Sequence, residues 1–262
     1  MLKVEGSFYD GQIHFEATGT PDRLNVFEKQ NRSDFYAQDY PYHVLKPLRI
    51  YQFSIILKKL SHIFKNTLEI GSGDGTFIEC YQKHIHSQIL GIEPSLSQDQ
   101  NCQIKSDLES FQSSKKFDTV VLMDVFEHFN DPAQALKKID GLLNGGGHIV
   151  MKVPSKQSLL YRLAKLLKIK KLLARMYQLD FPPQHFFYYD LESLKKLVEQ
   201  HGFTFVQNFY VSEAPLTGAW DRLWGVSKYL KPFVYLILIG YNLVARGYLQ
   251  DSLVVVFKKE KK

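Results

Sequence analysis

Cysteine is scarce in this sequence. Only Cys80 and Cys102 occur among the 262 residues, and they stand far apart. The chain is therefore not a disulfide-stabilised secreted scaffold, and neither cysteine belongs to a zinc-binding spacing. We expect a reduced, cytoplasmic protein.

Long hydrophobic runs are lacking as well. The most apolar segment, 233–245, is about 13 residues long, whereas a membrane-spanning helix needs ~20. The first residues form no apolar run, so no secretory signal is expected. We predict a buried or interfacial helix for 233–245.

Several functional motifs are also missing. No Ser/His/Asp order indicates a hydrolase, and no His, Cys, Asp or Glu group has metal-ligand spacing, so we predict no metal. The formal charge of +6 fits nucleic acid, an anionic membrane, an acidic substrate or solubility alone. Because no amino-methylation motif of the Asn-Pro-Pro-Tyr type and no RNA-binding domain are present, a nucleic-acid partner is not expected.

A glycine-rich segment at 68–77 is the most informative feature present. It predicts a strand, a tight turn and the start of a helix. Gly71, Gly73 and Gly75 let the backbone approach a ligand closely, and the helix N-terminus offers free N–H groups. Eighteen positions later an apolar strand ends in Glu93, whose carboxylate suits the two hydroxyls of a ribose.

The glycine spacing separates this loop from other nucleotide-binding loops. The dinucleotide fingerprint places its third glycine three residues after the second, and no phosphate-binding lysine follows here. NAD and ATP are therefore disfavoured as cofactors. A plain strand-to-helix turn remains the alternative reading of the loop by itself.

Together with segments 102–108, 117–129 and 142–154, the loop resembles the class I S-adenosylmethionine-dependent methyltransferases. The branch most similar includes ubiquinone-type O-methyltransferases and methyltransferases of bacterial glycan and natural-product pathways. The resemblance implies S-adenosylmethionine as cofactor, with Asp107 near its adenine amino group. The cofactor-binding residues it implies are Glu69, Gly71, Ser72, Gly73, Gly75, Glu93, Pro94, Asp107, Leu108, Met123 and Asp124, with Tyr36 and Tyr40 from a Tyr-rich segment.

The predicted fold class is α/β. Strands alternate with helices, which indicates a doubly wound, mostly parallel sheet, and the resemblance implies seven strands in a Rossmann-like arrangement. We divide the chain into an aromatic and polar cap segment at 1–46 and a methyltransferase domain at 47–262. Within that domain we place an inserted helical lid at about 156–190 and an apolar helical segment at about 219–249.

Methyl transfer to a hydroxyl requires alignment of the reactants and a base to remove the proton. The candidates are His128, His185 and Asp124. The alternative for His128 is a purely structural role. The alternative for Asp124 is to shape the methionine end of the cofactor site. We predict transfer to a hydroxyl of a small-molecule, saccharide or lipid-linked acceptor. The alternatives are a non-catalytic cofactor-binding or scaffold protein and an N- or C-methyltransferase.

Two segments bear on membrane contact. Segment 159–175 is basic and amphipathic, and 233–245 adds a second apolar surface. Peripheral contact of both segments with an anionic membrane is one reading. The other is that they pack on each other as an ordinary helical subdomain.

Overall fold

The computed structural model describes residues 12–14, 22–25, 42–168, 173, 176, 185–213, 215–216, 219–223 and 227–261. The predicted cofactor contacts of Tyr36 and Tyr40 lie outside these residues. So do residues 169–172, 174–175 and 177–184 of the basic segment and the proposed lid.

A seven-stranded sheet forms the centre of the molecule, in the order β5-β4-β3-β6-β7-β10-β9. Strands β3 to β7 pair in parallel, and β10 runs antiparallel to both of its neighbours. The predicted fold class is confirmed. The strands are β1 Gln12–His14, β2 Asp22–Asn25, β3 Thr67–Ile70, β4 Ile89–Ile92, β5 Gln103–Ile104, β6 Phe117–Met123, β7 Leu143–Pro154, β8 Phe187–Tyr188, β9 Phe203–Val211 and β10 Ser252–Lys259.

Three of the described helices begin at a side-chain cap. The Asp131 side chain accepts a hydrogen bond from the backbone of Gln134, and Pro132 follows it. Asp190 and Ser193 form a capping box. The helices are α1 Tyr42–Leu60, α2 Thr76–His84, α3 Pro132–Leu142, α4 Leu159–Leu166, α5 Leu191–Glu199, α6 Ala219–Arg222 and α7 Lys231–Val244, with 3-10 turns at Phe126–His128 and Gly247–Leu249.

Both faces of the sheet are covered by helices. On one face Leu122 packs with Leu136 of α3 and Leu194 of α5. On the other face Val121 packs with the α1 and α2 residues, including Phe77. Because successive strand residues point to opposite faces, neighbouring Val121 and Leu122 serve the two separate core clusters.

Helix α1 begins earlier than the sequence indicated. Apolar residues at helical spacing predict a helix over 47–64, but α1 starts at Tyr42 and contains Pro47. The boundary proposed between 46 and 47 therefore falls inside a helix. The N-terminal segment is also tied to the end of the proposed lid, because β2 pairs with β8. The strands of this small sheet were not foreseen. Among the described helices, none is long and apolar enough to cross a membrane.

Candidate active site

The predicted cofactor residues meet at one edge of the sheet. The glycine loop at 71–75 follows β3, Glu93 follows β4 and Asp124 follows β6. Since β3, β4 and β6 are parallel neighbours, their carboxyl ends lie side by side. Ligands of open α/β sheets bind at this edge.

The glycine loop needs its glycines for two separate reasons. Gly71, Gly73 and Gly75 have φ angles of 71°, 53° and 77°, in the left-handed region that glycine tolerates. A Cβ on Gly71 would also lie 2.5 Å from Cγ2 of Val125. The loop is therefore held in a conformation that exposes its backbone to a ligand.

The Glu93 carboxylate joins the glycine loop to β4. One oxygen accepts a hydrogen bond from the backbone N–H of Gly73 at 2.9 Å. The other accepts from the backbone and hydroxyl of Ser95 at 3.0 and 2.6 Å. A carboxylate has about four acceptor sites, so capacity remains for ribose hydroxyls. Glu93 is thus both part of the loop's framework and a candidate ligand group.

Gln103 also belongs to the site and was missed by sequence reasoning. Its side-chain amide donates to the hydroxyl of Ser72 at 2.8 Å and to the carbonyl of Gly73 at 3.2 Å. These bonds connect β5 to the loop. The only sequence signal for Gln103 was its position in the segment 102–108, shortly before Asp107.

Glu69 provides the strongest test of the predicted cofactor. Its side chain is almost fully buried, and Oε2 has no hydrogen-bond partner among the described residues. Burial raises its pKa well above the ordinary value, and the negative charges of Glu93 and Asp74 add to this. A cationic ligand group would satisfy the unpaired oxygen. S-adenosylmethionine has such a group in its ammonium, so the residues present fit this cofactor.

Asp107 and Leu108 lie beyond β5, at the position expected for adenine contacts. One Asp107 oxygen accepts from the hydroxyl and backbone of Ser110, at 2.6 and 2.7 Å. The side-chain hydrogen bond from Ser110 is the main reason that the Asp107 pKa is lowered. The carboxylate is exposed and Leu108 is buried. Contact of either residue with adenine stays a prediction.

Met123 and Pro94 have contrasting surroundings. Met123, the last residue of β6, is buried in the core cluster formed with α1 and α2. Pro94 is exposed beside Glu93. Their cofactor contacts also stay predictions.

Asp124 lies in an ion-pair centre that the sequence did not reveal. The backbone of Asp124 has a φ angle of 58°. Both of its carboxylate oxygens accept hydrogen bonds from Lys152 Nζ, at 2.7 and 2.6 Å. Lys152 is fully buried in β7 and also contacts Oε1 of Glu213 at 2.6 Å. The three residues form a carboxylate–ammonium–carboxylate centre, here called the Lys152 centre.

The charges of the Lys152 centre favour the ionised forms of Lys152 and Glu213. Burial disfavours the Lys152 cation, but Asp124 and Glu213 outweigh it and raise the lysine pKa. Burial also opposes the Glu213 anion, yet the lysine charge and hydrogen bonds from Lys152, Ser252 and Gln52 lower its pKa to about 2. For Asp124, burial is the largest influence and raises the pKa.

The centre continues toward α7 through two further residues. Asp251 accepts a hydrogen bond from the backbone of Glu213 at 3.1 Å and one from the hydroxyl of Tyr241. Burial raises the pKa of Asp251 to about 6. The sequence did mark Lys152, because it is the only charged residue in the apolar run 149–153. Glu213 had none.

The two candidate histidines come together beside β6. The ring centroids of His128 and His185 are 4.7 Å apart, although 56 residues separate them in the chain. The backbone N–H of Phe186 donates to the carbonyl of Glu127 at 2.9 Å, which fixes the end of the proposed lid against the 3-10 turn. His185 Nε2 lies 4.0 Å from Oε1 of Glu127.

Glu127 and His185 are both held in their neutral forms. Burial raises the pKa of the Glu127 carboxyl well above its usual range, and the Asp124 charge adds to this. Burial, aided by nearby His128, lowers the pKa of His185 well below its usual range. Neither Glu127 oxygen nor His185 Nδ1 has a hydrogen-bond partner within the described part of the chain. The lowered pKa makes His185 a weak proton acceptor.

Tertiary contact also groups residue types that bind metals. Ligand atoms of Glu127, His128 and His185 lie within 4.8 Å of one another. The sequence spacing gave no sign of this group. Two members are adjacent in the chain, and the third lies near the end of the proposed lid. The absence of a metal stays a prediction.

These residues have distinct tasks in a methyl transfer. S-adenosylmethionine supplies a methyl group on a sulfonium, which is already a good leaving group. Glu69 and Glu93 would hold its cationic and ribose parts, and the glycine loop would fit against it. The Lys152 centre fixes the orientation of Asp124, while proton removal by His128 or His185 stays a prediction.

Comparison with curated proteins places the chain near known O-methyltransferases. The ubiquinone biosynthesis O-methyltransferase of Coxiella burnetii (strain Dugway 5J108-111) is 22% identical over 152 residues, which cover 50% of this chain and 63% of that protein. The protein of the same name from Serratia proteamaculans is 28% identical over 123 residues, covering 42% of this chain and 50% of that protein. The chain thus spans between half and two thirds of these relatives.

Solved structures share the fold. Phosphoethanolamine N-methyltransferase 2 of Haemonchus contortus, in complex with S-adenosyl-L-methionine, aligns with a TM-score of 0.57 at 12% identity, over 92% of this chain and 62% of that one. A cyclopropane synthase of Mycobacterium tuberculosis aligns with a TM-score of 0.54 at 17% identity, over 88% of this chain and 90% of that one. At these identities the likeness concerns the fold alone.

A family model described as a methyltransferase domain matches residues 44–208, well over half of the chain. The match includes the glycine loop, Glu93, the Lys152 strand and both candidate histidines. The chain therefore belongs to the methyltransferase-domain family, and the predicted class I fold and S-adenosylmethionine as cofactor are confirmed.

Proposed function

We propose that this protein transfers the methyl group of S-adenosylmethionine to a hydroxyl oxygen of a small-molecule, saccharide or lipid-linked acceptor. The observation that supports oxygen as the acceptor atom is the pair of histidines beside β6. A hydroxyl must lose a proton during transfer, and the imidazole rings of His128 and His185 lie together, with centroids 4.7 Å apart.

The surroundings favour a histidine over Asp124 as the base. Both Asp124 oxygens already accept from Lys152, so a proton taken by this carboxylate would break an ion pair. His128 is partly exposed whereas His185 is buried. We therefore assign proton removal to His128 at the acceptor, with His185 positioning its ring.

A methyl-transfer assay with exchange of single residues tests this proposal. Purified protein is incubated with labelled S-adenosylmethionine and extract fractions or defined hydroxyl acceptors, and the product is identified by mass spectrometry. We expect His128→Asn to lower kcat by about 10²- to 10⁴-fold, the usual contribution of a general base. His185→Asn should reduce kcat less, and the affinity for S-adenosylmethionine should not change in either variant.

His86→Asn is the matched control, because His86 is exposed in the connection between α2 and β4. A methylated nitrogen or carbon in the product would replace the proposal with an N- or C-methyltransferase. Cofactor binding without any transfer to fractions from the native host would support the non-catalytic alternative. Unchanged kcat in both histidine variants would remove the histidine assignment.

A further inference from the structure

The outer face of α7 is apolar along its whole length. None of the 14 residues of this helix is buried. A helix surface that faces water normally carries polar or charged side chains. The outward residues here recur at helical spacing and are 56% to 65% exposed: Phe233, Leu236, Ile237, Leu243 and Val244.

A second apolar surface lies beside α7. Leu160, Leu163, Leu166 and Leu167, in and directly after α4, are 39% to 75% exposed. The Tyr241 hydroxyl of α7 forms a hydrogen bond with the backbone of Leu160, so the two helices adjoin. We call their combined outward surface the α4–α7 face. Contiguous exposed apolar surface of this kind marks an interaction site.

Positive charge surrounds the α4–α7 face. Lys228 and Lys231 precede or begin α7 and Arg246 follows it, and Lys168 follows α4. The sequence has no Asp or Glu anywhere from 222 to 250. The charged residues of this segment on either side of α7 are therefore all basic, and an anionic surface is their electrostatic complement.

Aromatic rings accompany these charges. Lys228 Nζ lies 5.1 Å from the ring centroid of Tyr229, and Lys231 Nζ lies 4.7 Å from that of Trp220. Tyr229 is 81% exposed. Basic residues and aromatic rings at the border of an apolar helix face are typical of helices that lie in a membrane interface.

We propose that the α4–α7 face docks on the surface of a bilayer that contains anionic lipids, with α7 lying parallel to the membrane plane. At 1.5 Å per residue, α7 is about 21 Å long, short of the ~30 Å hydrocarbon core. A second copy of the chain is a poorer occupant. A symmetric dimer would place the same basic rim on both sides of the contact.

The docking face is connected to the candidate active site. Tyr241 of α7 donates to Asp251, whose other oxygen accepts from the backbone of Glu213. Glu213 in turn contacts Lys152 of the Lys152 centre. The membrane would thus meet the protein near the edge of the sheet where transfer is proposed. If that proposed function holds, the acceptor class is narrowed to amphipathic or lipid-linked alcohols.

Vesicle flotation tests the docking surface. The protein is mixed with vesicles of phosphatidylcholine alone or with phosphatidylglycerol, at low and moderate salt. We expect binding to the anionic vesicles only, weakening as salt rises. Lys228→Gln with Lys231→Gln should lower partitioning by about 25-fold, since each basic residue near an anionic surface is worth roughly fivefold. Leu236→Gln with Ile237→Gln should abolish binding.

Two variants serve as matched controls. Lys115→Gln changes an exposed charge in the loop before β6, and Val206→Gln changes an exposed apolar residue of β9. Calorimetry with S-adenosylmethionine on every variant checks the fold and is independent of docking. Failure of the wild type to float with anionic vesicles, or equal flotation of the α7 variants, overturns the proposal. So does a dimer in sedimentation velocity that Leu236→Gln with Ile237→Gln converts to a monomer. None of these results bears on methyl transfer itself.

Discussion

At the scale of single residues, Glu93 is the group on which cofactor binding depends most directly. Glu93→Ala removes the predicted ribose contacts and also the acceptor of the Gly73 N–H. A hydrogen bond to a charged group is worth about 1.5–3 kcal/mol, so affinity for S-adenosylmethionine should fall roughly tenfold or more in calorimetry. Glu109→Ala, at an exposed carboxylate, is the control. Equal affinity in a folded Glu93→Ala protein would remove the ribose assignment.

Lys152 is expected to matter for stability as well as for the site. Lys152→Met leaves the carboxylates of Asp124 and Glu213 without their shared cation. Breaking a buried ion pair costs about 3–5 kcal/mol. Because the two carboxylates are about one-third exposed, we expect a smaller loss of about 2–3 kcal/mol in urea unfolding. Adding Glu213→Gln to Lys152→Met should recover part of it, and no recovery would contradict the mutual pairing.

Glu127 and His185 should give opposite pH dependences of stability. Between pH 5 and 6 the unfolded chain protonates His185 more than the folded protein does, because the folded pKa is lowered. This contribution to the unfolding free energy rises with pH. Folded Glu127, with its raised pKa, holds a proton that the unfolded chain releases, so its contribution falls as pH rises.

Single variants separate these two contributions. Relative to wild type, His185→Gln should make the slope of unfolding free energy against pH more negative, and Glu127→Gln should make it more positive. Each change is bounded by one proton, about 1.4 kcal/mol per pH unit. Urea titrations at pH 5 and pH 6 measure it. Slopes that change in the same direction would show that the two groups are not both neutral.

Sequence reasoning reached residues that lie close together in the chain. The glycine loop and Glu93 follow from local strand and turn patterns, and the structure brings them into contact. Glu213 belongs to the site only because β9 and β7 end at the same edge, on either side of β10, which no local pattern encodes. The same holds for His185 beside His128. Pairing across long sequence distances depends on tertiary packing and was therefore invisible.

At the scale of elements, the glycine loop and the turn after β6 fit each other tightly. Gly71→Ala should destabilise the protein, because its φ is left-handed and its new Cβ would meet Val125 at 2.5 Å. The left-handed conformation alone costs about 1–2 kcal/mol for an L-residue. Val125→Ala added to Gly71→Ala should relieve the clash but not this strain. Thermal unfolding of both variants measures the loss of stability. Full recovery of stability in the double variant would show that the backbone conformation is not strained.

Helices with strong caps were predictable, and short strands were not. Asp131 with Pro132, and Asp190 with Ser193, mark helix starts through local chemistry. Strands β1 and β2 contain three and four residues and form by pairing with each other and with β8. Their stability comes from partners elsewhere in the chain, so periodicity over so few residues is not informative.

At the scale of the whole molecule, cofactor binding should stabilise the fold. A ligand at 100 times its dissociation constant adds about 2.7 kcal/mol to the unfolding free energy. For a chain of this size that corresponds to about 5–10 °C in Tm. Differential scanning fluorimetry should show this shift with S-adenosylmethionine and with S-adenosylhomocysteine, and none with NAD. A comparable shift with NAD would contradict the reading of the glycine spacing.

The antiparallel pairing of β9 with β10 makes the whole α6–α7 region an interchangeable attachment. Val211 and Ser252 are cross-strand partners, so the chain leaves the sheet and returns to it at neighbouring positions. Replacing residues 214–250 by a short turn would leave every strand pairing of the central sheet and the Lys152 centre in place. In such an architecture the exposed surface of α7 can change in sequence while the central sheet is kept.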